Sequence, residues 1–173
     1  IGFIVYPESE NEKVQELLAL HNLEEQILFH SPLQLFCRNA HPVLKDPNAL
    51  TPELFDQYSF VLHSAEAASQ ISAESSILNG IQSLIRQDQL SGITYVNSRA
   101  SFYNIVEQTD SIGIGIAPLH DRENFPEITA LPVPEWLWPE SGHDRELVAS
   151  CIFRNRVRLS PAAQMYLAEL SRL

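Results

Sequence analysis

The chain has 173 residues, of which 45% are hydrophobic and 19% are charged, values typical of a soluble globular protein with one core or two small lobes. Its formal net charge of −11 makes it a poor binder of nucleic acid phosphates by itself. We find no apolar run long enough to span a membrane and no signal peptide. The chain begins at Ile1 and enters a strand at once, so we expect it to be a piece of a longer protein.

The first third of the sequence predicts a mixture of strands and amphipathic helices. In chain order, the predicted elements are a strand over residues 2–6, a helix over 8–22, strands over 23–30 and 33–38 separated by Ser31-Pro32, a short helix from Pro52, and a strand over 58–63. A polar connection over residues 64–70 and a helix over 72–87 follow.

Residues 92–118 predict a strand, a short helix and a second strand. The β-rich run 93–96 is followed by Asn97 and Ser98, which are typical of helix starts. Further on, isoleucines at 112, 114 and 116 alternate with Gly113 and Gly115. A strand with glycine along one face is expected to pack against a very close neighbour.

The last part of the chain predicts two more strands and a final helix. One helical turn is predicted over residues 119–123, strands over 128–133 and 146–153, and a rigid aromatic loop over 134–139. The final helix is predicted to begin with Ser160 as N-cap and Pro161 at its first position. Its apolar side is predicted to consist of Met165, Leu167 and Leu170.

The predicted helix start at residues 97–101 follows the carboxyl end of a strand. Small ligands bind at that edge of open α/β sheets, and the free N–H groups of a helix start attract anions. The alternative is an ordinary helix cap with no ligand, because serine and asparagine are common capping residues.

Motifs for catalysis or metal binding are absent from the sequence. The six histidines lack metal-binding spacing, there is no CxxC, and no phosphate-binding or dinucleotide-binding glycine loop is present. Cys37 with the nearby His41 is the one nucleophile pair worth weighing, and a buried core thiol is the better interpretation. Two free cysteines indicate a reducing cytoplasm. We therefore predict a protein that is not an enzyme and has no metal or cofactor.

The order of several local patterns resembles the effector-binding domain of LysR-type transcriptional regulators. The run 33–44, Leu-Gln-Leu-Phe-Cys-Arg-Asn-Ala-His-Pro-Val-Leu, is similar to that family's strand followed by His-Pro-Leu. The stretch 105–118 is similar to its strand-turn-strand element, which has Leu-Val, then Gly-x-Gly-Ile, then Pro. Ser160-Pro161-Ala162 resembles the start of its C-terminal helix. The family's winged helix-turn-helix and the first part of its effector domain have no counterpart here.

The resemblance implies an α/β fold of two Rossmann-like lobes joined by two crossover strands, like the type 2 periplasmic-binding-protein fold. Lobe I would comprise residues 1–62 and 151–173, and lobe II residues 63–150. The crossings would fall at residues 60–64 and 148–153.

The resemblance also implies a small-molecule effector in a cleft between the lobes, and we expect this effector to be an anion. The ligand-binding residues would be Ala68, Ser69 and Gln70 at one helix start, Asn97, Ser98 and Ser101 at another, and Ser64 before the first. A regulator of this type would be cytoplasmic and would form a homodimer, and a tetramer at full length. It would contact DNA only through a domain absent from this chain.

Two other classes of protein remain open at this stage. The same fold serves extracytoplasmic solute-binding proteins, which an upstream secretory or lipoprotein signal would identify. An enzyme on a two-lobed scaffold, such as a deaminase or dehydratase, would need a reactive residue in the cleft, and the sequence offers no candidate. An activity that is lost in Cys37→Ser would revive this class.

Overall fold

The computed structural model describes residues 1–45, 50–64, 84–116, 125–139, 145–155 and 158–170. Within them, the strands are β1 (Gly2–Pro7), β2 (Leu23–Arg38), β3 (Phe60–His63), β4 (Ile93–Val96), β5 (Ile112–Ile116), β6 (Ile128–Pro132) and β7 (Glu146–Arg154). The α-helices are α1 (Asn11–Leu20), α2 (Pro52–Phe55), α3 (Arg99–Gln108) and α4 (Pro161–Leu170). Short 3-10 turns cover Glu8–Glu10, Pro42–Lys45, Gln87–Gln89 and Glu135–Leu137.

The strands form one continuous sheet whose two halves share β2. The first half of β2 pairs antiparallel with β7, which pairs in turn with β1. The second half lies between β5 and β6, and β3 lies parallel between β4 and β5. Both predicted lobe boundaries, at residues 62/63 and 150/151, fall inside single strands, β3 and β7, and the division into lobes stays a prediction.

The prediction of two separate strands around Ser31-Pro32 is wrong, because β2 runs unbroken through 16 residues. Pro32 is the last residue of β2 that pairs with β7, and Leu33 is the first that pairs with β5. A proline lacks the N–H needed inside a strand ladder. Here it lies where the strand changes partners, so the strand can continue through it.

The helix predicted over residues 8–22 is shorter in the structure. A 3-10 turn occupies Glu8–Glu10, and the helix α1 ends at Leu20, after which Asn22 adopts a left-handed backbone with φ 54°. Helix α1 contributes Val14 and Leu18 to a small core with Tyr6 and Val148.

The two faces of the β3–β5 region belong to different cores. On one face, Phe60 and Ile112 join a large cluster with Leu35, Phe55 and Leu137. The predicted aromatic loop contributes to this cluster, and the indole of Trp136 donates a hydrogen bond of 2.6 Å to the Leu50 carbonyl. Helix α3 covers the opposite face.

The final helix begins as predicted, with the Ser160 hydroxyl accepting a hydrogen bond of 3.2 Å from the Ala163 N–H. Leu167 is buried, but Met165 is 71% exposed, so its predicted place on the apolar side is wrong. The helical turn predicted over 119–123 and most of the helix predicted over 72–87 lie outside the described residues. Residues 84–89, by contrast, are described, and form a turn and the 3-10 segment.

Helix α3 packs directly on the glycine backbone of β5, as the alternation of isoleucine and glycine predicts. A Cβ atom added at Gly113 would lie 2.5 Å from Phe102 Cζ and 2.9 Å from Val106 Cγ2. At Gly115 the same addition would meet no atom closer than 3.8 Å.

We therefore expect Gly113→Ala to lower the free energy of unfolding by about 1–3 kcal/mol, because α3 must move outward to make room. Gly115→Ala, in the same strand, is the matched control and should change it by less than about 1 kcal/mol. Urea denaturation followed by circular dichroism measures both. Equal effects of the two substitutions would contradict the close packing at Gly113.

Candidate functional site

The candidate site lies where the parallel strands β3 and β4 end. His63 pairs with Val96, the last residues of the two strands, and the Ser64 N–H donates a hydrogen bond of 2.6 Å to the Val96 carbonyl. Parallel strands bring their carboxyl ends to one edge of the sheet, where ligands of α/β proteins bind. The chain segments that follow both strands therefore start side by side.

Helix α3 begins at this edge. Ser98 is its N-cap: the side-chain oxygen accepts a hydrogen bond of 3.4 Å from the Ser101 N–H, and its carbonyl accepts one of 3.0 Å from the Phe102 N–H. The predicted helix start and its capping serine are confirmed. The partial positive charge of a helix N-terminus thus lies beside the ends of β3 and β4.

Two side chains give this edge positive or titratable character. The imidazole of His63 stacks on Phe102, with ring centroids 4.9 Å apart and planes 12° from parallel. The guanidinium of Arg99 lies 5.5 Å above the ring of Tyr103, which stacks in turn on Phe125 at 4.1 Å. These aromatic contacts hold the two basic groups close to the start of α3.

The electrostatics of His63 follow from this packing. Partial desolvation of the ring lowers the pKa of His63 below its ordinary value, and the positive charge of Arg99 lowers it further. Both causes disfavour the protonated imidazole. An anion bound beside His63 and Arg99 would act in the opposite direction.

The structure places the predicted site residues as follows. Ser64, which follows β3, and Ser98, which follows β4, are both half-buried. Asn97 and Ser101 are exposed at the start of α3. Ala68, Ser69 and Gln70 lie outside the described residues. Neither a ligand role nor its absence is tested for any of these seven residues, so the set stays a prediction.

Sequence reasoning missed His63 and Arg99. Both are adjacent to predicted residues, one before Ser64 and one after Ser98. The signal that could have found them is a basic side chain next to the carboxyl end of a parallel strand, where ligands bind.

A third missed residue, Gln34, lies on the same face of the sheet. Its side-chain oxygen is buried and has no hydrogen-bond partner in the part of the chain that the structure describes. Nothing in the sequence marks this glutamine, because polar residues are ordinary in strands that alternate between two faces.

Cys37 and His41 do not form a catalytic pair. Cys37 is buried, and desolvation raises the pKa of its thiol to about 11, so the nucleophilic thiolate is scarce. Both ring nitrogens of His41 are engaged elsewhere: Nδ1 accepts from the Val43 N–H at 3.0 Å, and Nε2 donates to the Asp110 carbonyl at 3.0 Å. Within the described residues this candidate for thiol chemistry therefore fails.

Among the described residues, one group of possible metal ligands comes together, consisting of Glu8, His30 and Glu146, whose ligand atoms lie within 4.8 Å of one another. No local pattern predicts this group, because the three residues come from different parts of the chain. All three side chains are exposed, and exposed carboxylates commonly lie together without an ion. We assign no metal to them.

The fold is similar to that of several solved structures. No protein-family model and no curated protein matches the sequence. Among solved structures, the effector-binding domain of QuiR in complex with shikimate matches with a TM-score of 0.53 at 18% identity, covering 98% of this chain and 70% of that one. A probable transcriptional regulator from Pseudomonas aeruginosa matches with a TM-score of 0.56 at 15% identity, covering 100% and 50%. Full-length HypT from Salmonella typhimurium, a hypochlorite-specific LysR-type regulator, matches with a TM-score of 0.53 at 20% identity, covering 99% and 51%.

The chain has the fold of a LysR-type effector-binding domain. This fold is like that of type 2 periplasmic-binding proteins, so the predicted fold class is confirmed. The chain spans about half the length of the Pseudomonas and Salmonella regulators. These three proteins are described as transcriptional regulators or as a domain of one, rather than as enzymes. No helix in the described part of the chain is long and apolar enough to cross a membrane.

The lowered pKa of His63 makes a testable contribution to the pH dependence of stability. The unfolded chain binds the proton more readily than the folded chain, so this residue should cost stability as pH falls through the histidine range. We expect His63→Gln to flatten the fall in the free energy of unfolding between about pH 7.5 and about pH 5.

Urea titrations of the parent and of His63→Gln across this range measure the slope. Ser160→Ala, which removes a helix cap but no titratable group, is the control and should leave the slope unchanged. A slope in His63→Gln equal to that of the parent would show that folding does not suppress protonation of His63.

Proposed function

We propose that this chain is the effector-sensing domain of a LysR-type transcriptional regulator. It binds a small anionic molecule at the carboxyl ends of β3 and β4 and thereby controls DNA binding by a separate helix-turn-helix domain. The observation that carries this proposal is the convergence of the α3 N-terminus, His63 and Arg99 at one sheet edge, in a chain with this fold.

The chemistry of the edge favours a carboxylate or similar anion. Arg99 supplies a permanent positive charge, the N-terminus of α3 supplies a partial one, and the hydroxyl protons of Ser64 and Ser98 can donate hydrogen bonds. Hydrogen bonds between a cationic donor and a carboxylate are roughly twice as strong as neutral ones. The QuiR domain, which has the same fold, was solved with shikimate, a carboxylate.

The negative net charge of the chain makes local positive groups essential to an anion site. With a formal charge of −11, the surface as a whole repels anions, so an anion site depends on local positive groups such as Arg99. The same charge disfavours contact with DNA phosphates. DNA binding therefore belongs to a separate domain of the full-length regulator.

The proposed regulator works by a shift between conformations. A ligand changes an equilibrium only by its difference in affinity for the two states. Strand β2 pairs with β5 in one half of the sheet and with β7 in the other. A movement that a ligand causes at the carboxyl ends of β3 and β4 can therefore be transmitted through β2 to the half that contains β1 and β7. The full-length protein would be cytoplasmic and would act as a homodimer or tetramer that positions its DNA-binding domains.

The proposal is tested by screening small carboxylates for an increase in the melting temperature of the chain. We expect at least one acid to stabilise the protein, and Arg99→Gln and Ser98→Ala to weaken its binding in calorimetry. Loss of a charge-assisted hydrogen bond to Arg99 should reduce the affinity by roughly tenfold or more.

Ser160→Ala is the matched control for Ser98→Ala. Both serines cap an α-helix through the same hydrogen bond to the third residue on, so each substitution should cost about 1 kcal/mol of stability. Only Ser98→Ala should weaken binding of the ligand. A screen in which no acid stabilises the chain, or equal effects of the two alanine variants on ligand affinity, would refute the proposed site.

A further inference from the structure

The face of the sheet that carries α3 presents His63, Gly115 and Gln34 in one row. Gln34 of β2 lies opposite Gly115 of β5 in their antiparallel pairing. In the parallel pairing of β3 and β5, Val61 lies opposite Gly113, so two residues further on His63 comes level with Gly115. Neighbouring strands are about 4.8 Å apart, which puts the Cα atoms of His63 and Gln34 about 10 Å from each other.

The side chain of Gln34 is on the α3 face of the sheet. Phe36, two residues later, packs against Phe102 and Tyr103 of α3, whereas Leu33 and Leu35 belong to the core on the other face. Because side chains alternate along a strand, Gln34 shares the face of Phe36. His63 is on this face too, since its ring stacks on Phe102.

Between Gln34 and His63 the sheet surface is bare backbone. Among the described residues, a Cβ atom added at Gly115 would meet Phe102 Cζ and Phe36 Cε2, both at 3.8 Å. This is ordinary contact distance, unlike the crowding at Gly113. The row therefore forms a slot with a glycine floor, bordered by two aromatic rings and closed at its ends by an imidazole and an amide.

The side-chain amide oxygen of Gln34 lacks a hydrogen-bond donor among the described residues. Its Oε1 atom is buried and accepts no hydrogen bond within the described chain. Buried polar atoms are almost always paired, and one that is not destabilises the fold. An amide oxygen can be satisfied only by an O–H or N–H donor.

We propose that Gln34 accepts a hydrogen bond from a hydroxyl or amino group of the effector. This inference rests on the proposed function, in which the carboxylate of the effector lies toward His63 and Arg99. It narrows the ligand class to small acids that carry an O–H or N–H donor at the end away from the carboxylate. The slot of about 10 Å, spanning two strand spacings, suits a molecule of one ring or a short chain.

The first test needs no ligand. Gln34→Met keeps the length of the side chain and removes the unpaired oxygen, so the ligand-free protein should become more stable, with a Tm higher by roughly 2–4 °C. A residue kept for binding at the expense of stability behaves in this way. Differential scanning calorimetry of the whole chain measures the change.

Gln26→Met is the matched control, since Gln26 lies on the same strand and has an interaction partner. It should not raise the Tm. A lower Tm for Gln34→Met than for the parent would show that the amide is already satisfied in the folded chain, and would overturn the inference whatever the ligand.

The second test compares shikimate with benzoate, a hydroxylated and an unhydroxylated ring carboxylate, by isothermal titration calorimetry. We expect the parent to prefer shikimate, and Gln34→Met to lose roughly five- to tenfold in affinity for shikimate while binding benzoate as before. Equal affinity of the parent for both acids would overturn the role of Gln34 and leave the proposed anion site standing. Failure of both acids, and of every acid in the wider screen, would overturn both.

Discussion

The contact of Phe102 with the backbone of Gly113 fixes the geometry on which the candidate site depends. Any side chain at position 113 would collide with α3, so the helix can lie this close to β5 only because that residue is glycine. The close approach puts the first turn of α3 at the ends of β3 and β4. It also presents the ring of Phe102 as the surface on which His63 stacks. One missing side chain thus positions a helix N-terminus, an imidazole and an arginine together.

The second glycine of β5 has a different role in the same arrangement. The space that a side chain at Gly113 would need is occupied by Phe102 and Val106, whereas no described residue crowds the corresponding space at Gly115. The difference arises because Phe102 and Val106 of α3 both lie against Gly113, whereas at Gly115 the distance to Phe102 is 3.8 Å. Gly113 thus belongs to the tightly packed part of this face, and Gly115 to the part where the proposed ligand site lies.

Strand β2 connects this face to the rest of the molecule. Its first half belongs to the small sheet with β1 and β7, and its second half carries Gln34 and Phe36 beside the candidate site. Pro32 lies at the change of partners, where a missing N–H is tolerated. At the end of β2, Arg38 forms an ion pair of 2.7 Å with the carboxylate of Asp110, in the turn before β5. The backbone carbonyl of Asp110 also accepts a hydrogen bond from His41. These links join the entry of β5 to the end of β2.

The sequence alone determined the local elements that have strong local causes. The β-rich run 93–96, the capping Ser98 and Ser160, and the alternation of isoleucine with glycine each predicted an element that the structure contains. The order of the elements, together with the local patterns that resemble the LysR family, indicated the fold class. Ser31-Pro32 was misleading, because whether a proline ends a strand depends on which partner each half of that strand meets.

Only the tertiary structure decided which side chains share the site. His63, Gly115 and Gln34 come from three strands far apart in the chain, and their row exists only through the register of β3, β5 and β2. The same holds for Met165, whose helical spacing predicted burial although nothing described covers it. Spacing along the chain fixes the face that a residue occupies, but register between strands and the cover over each face arise from contacts between distant segments, which no local pattern encodes.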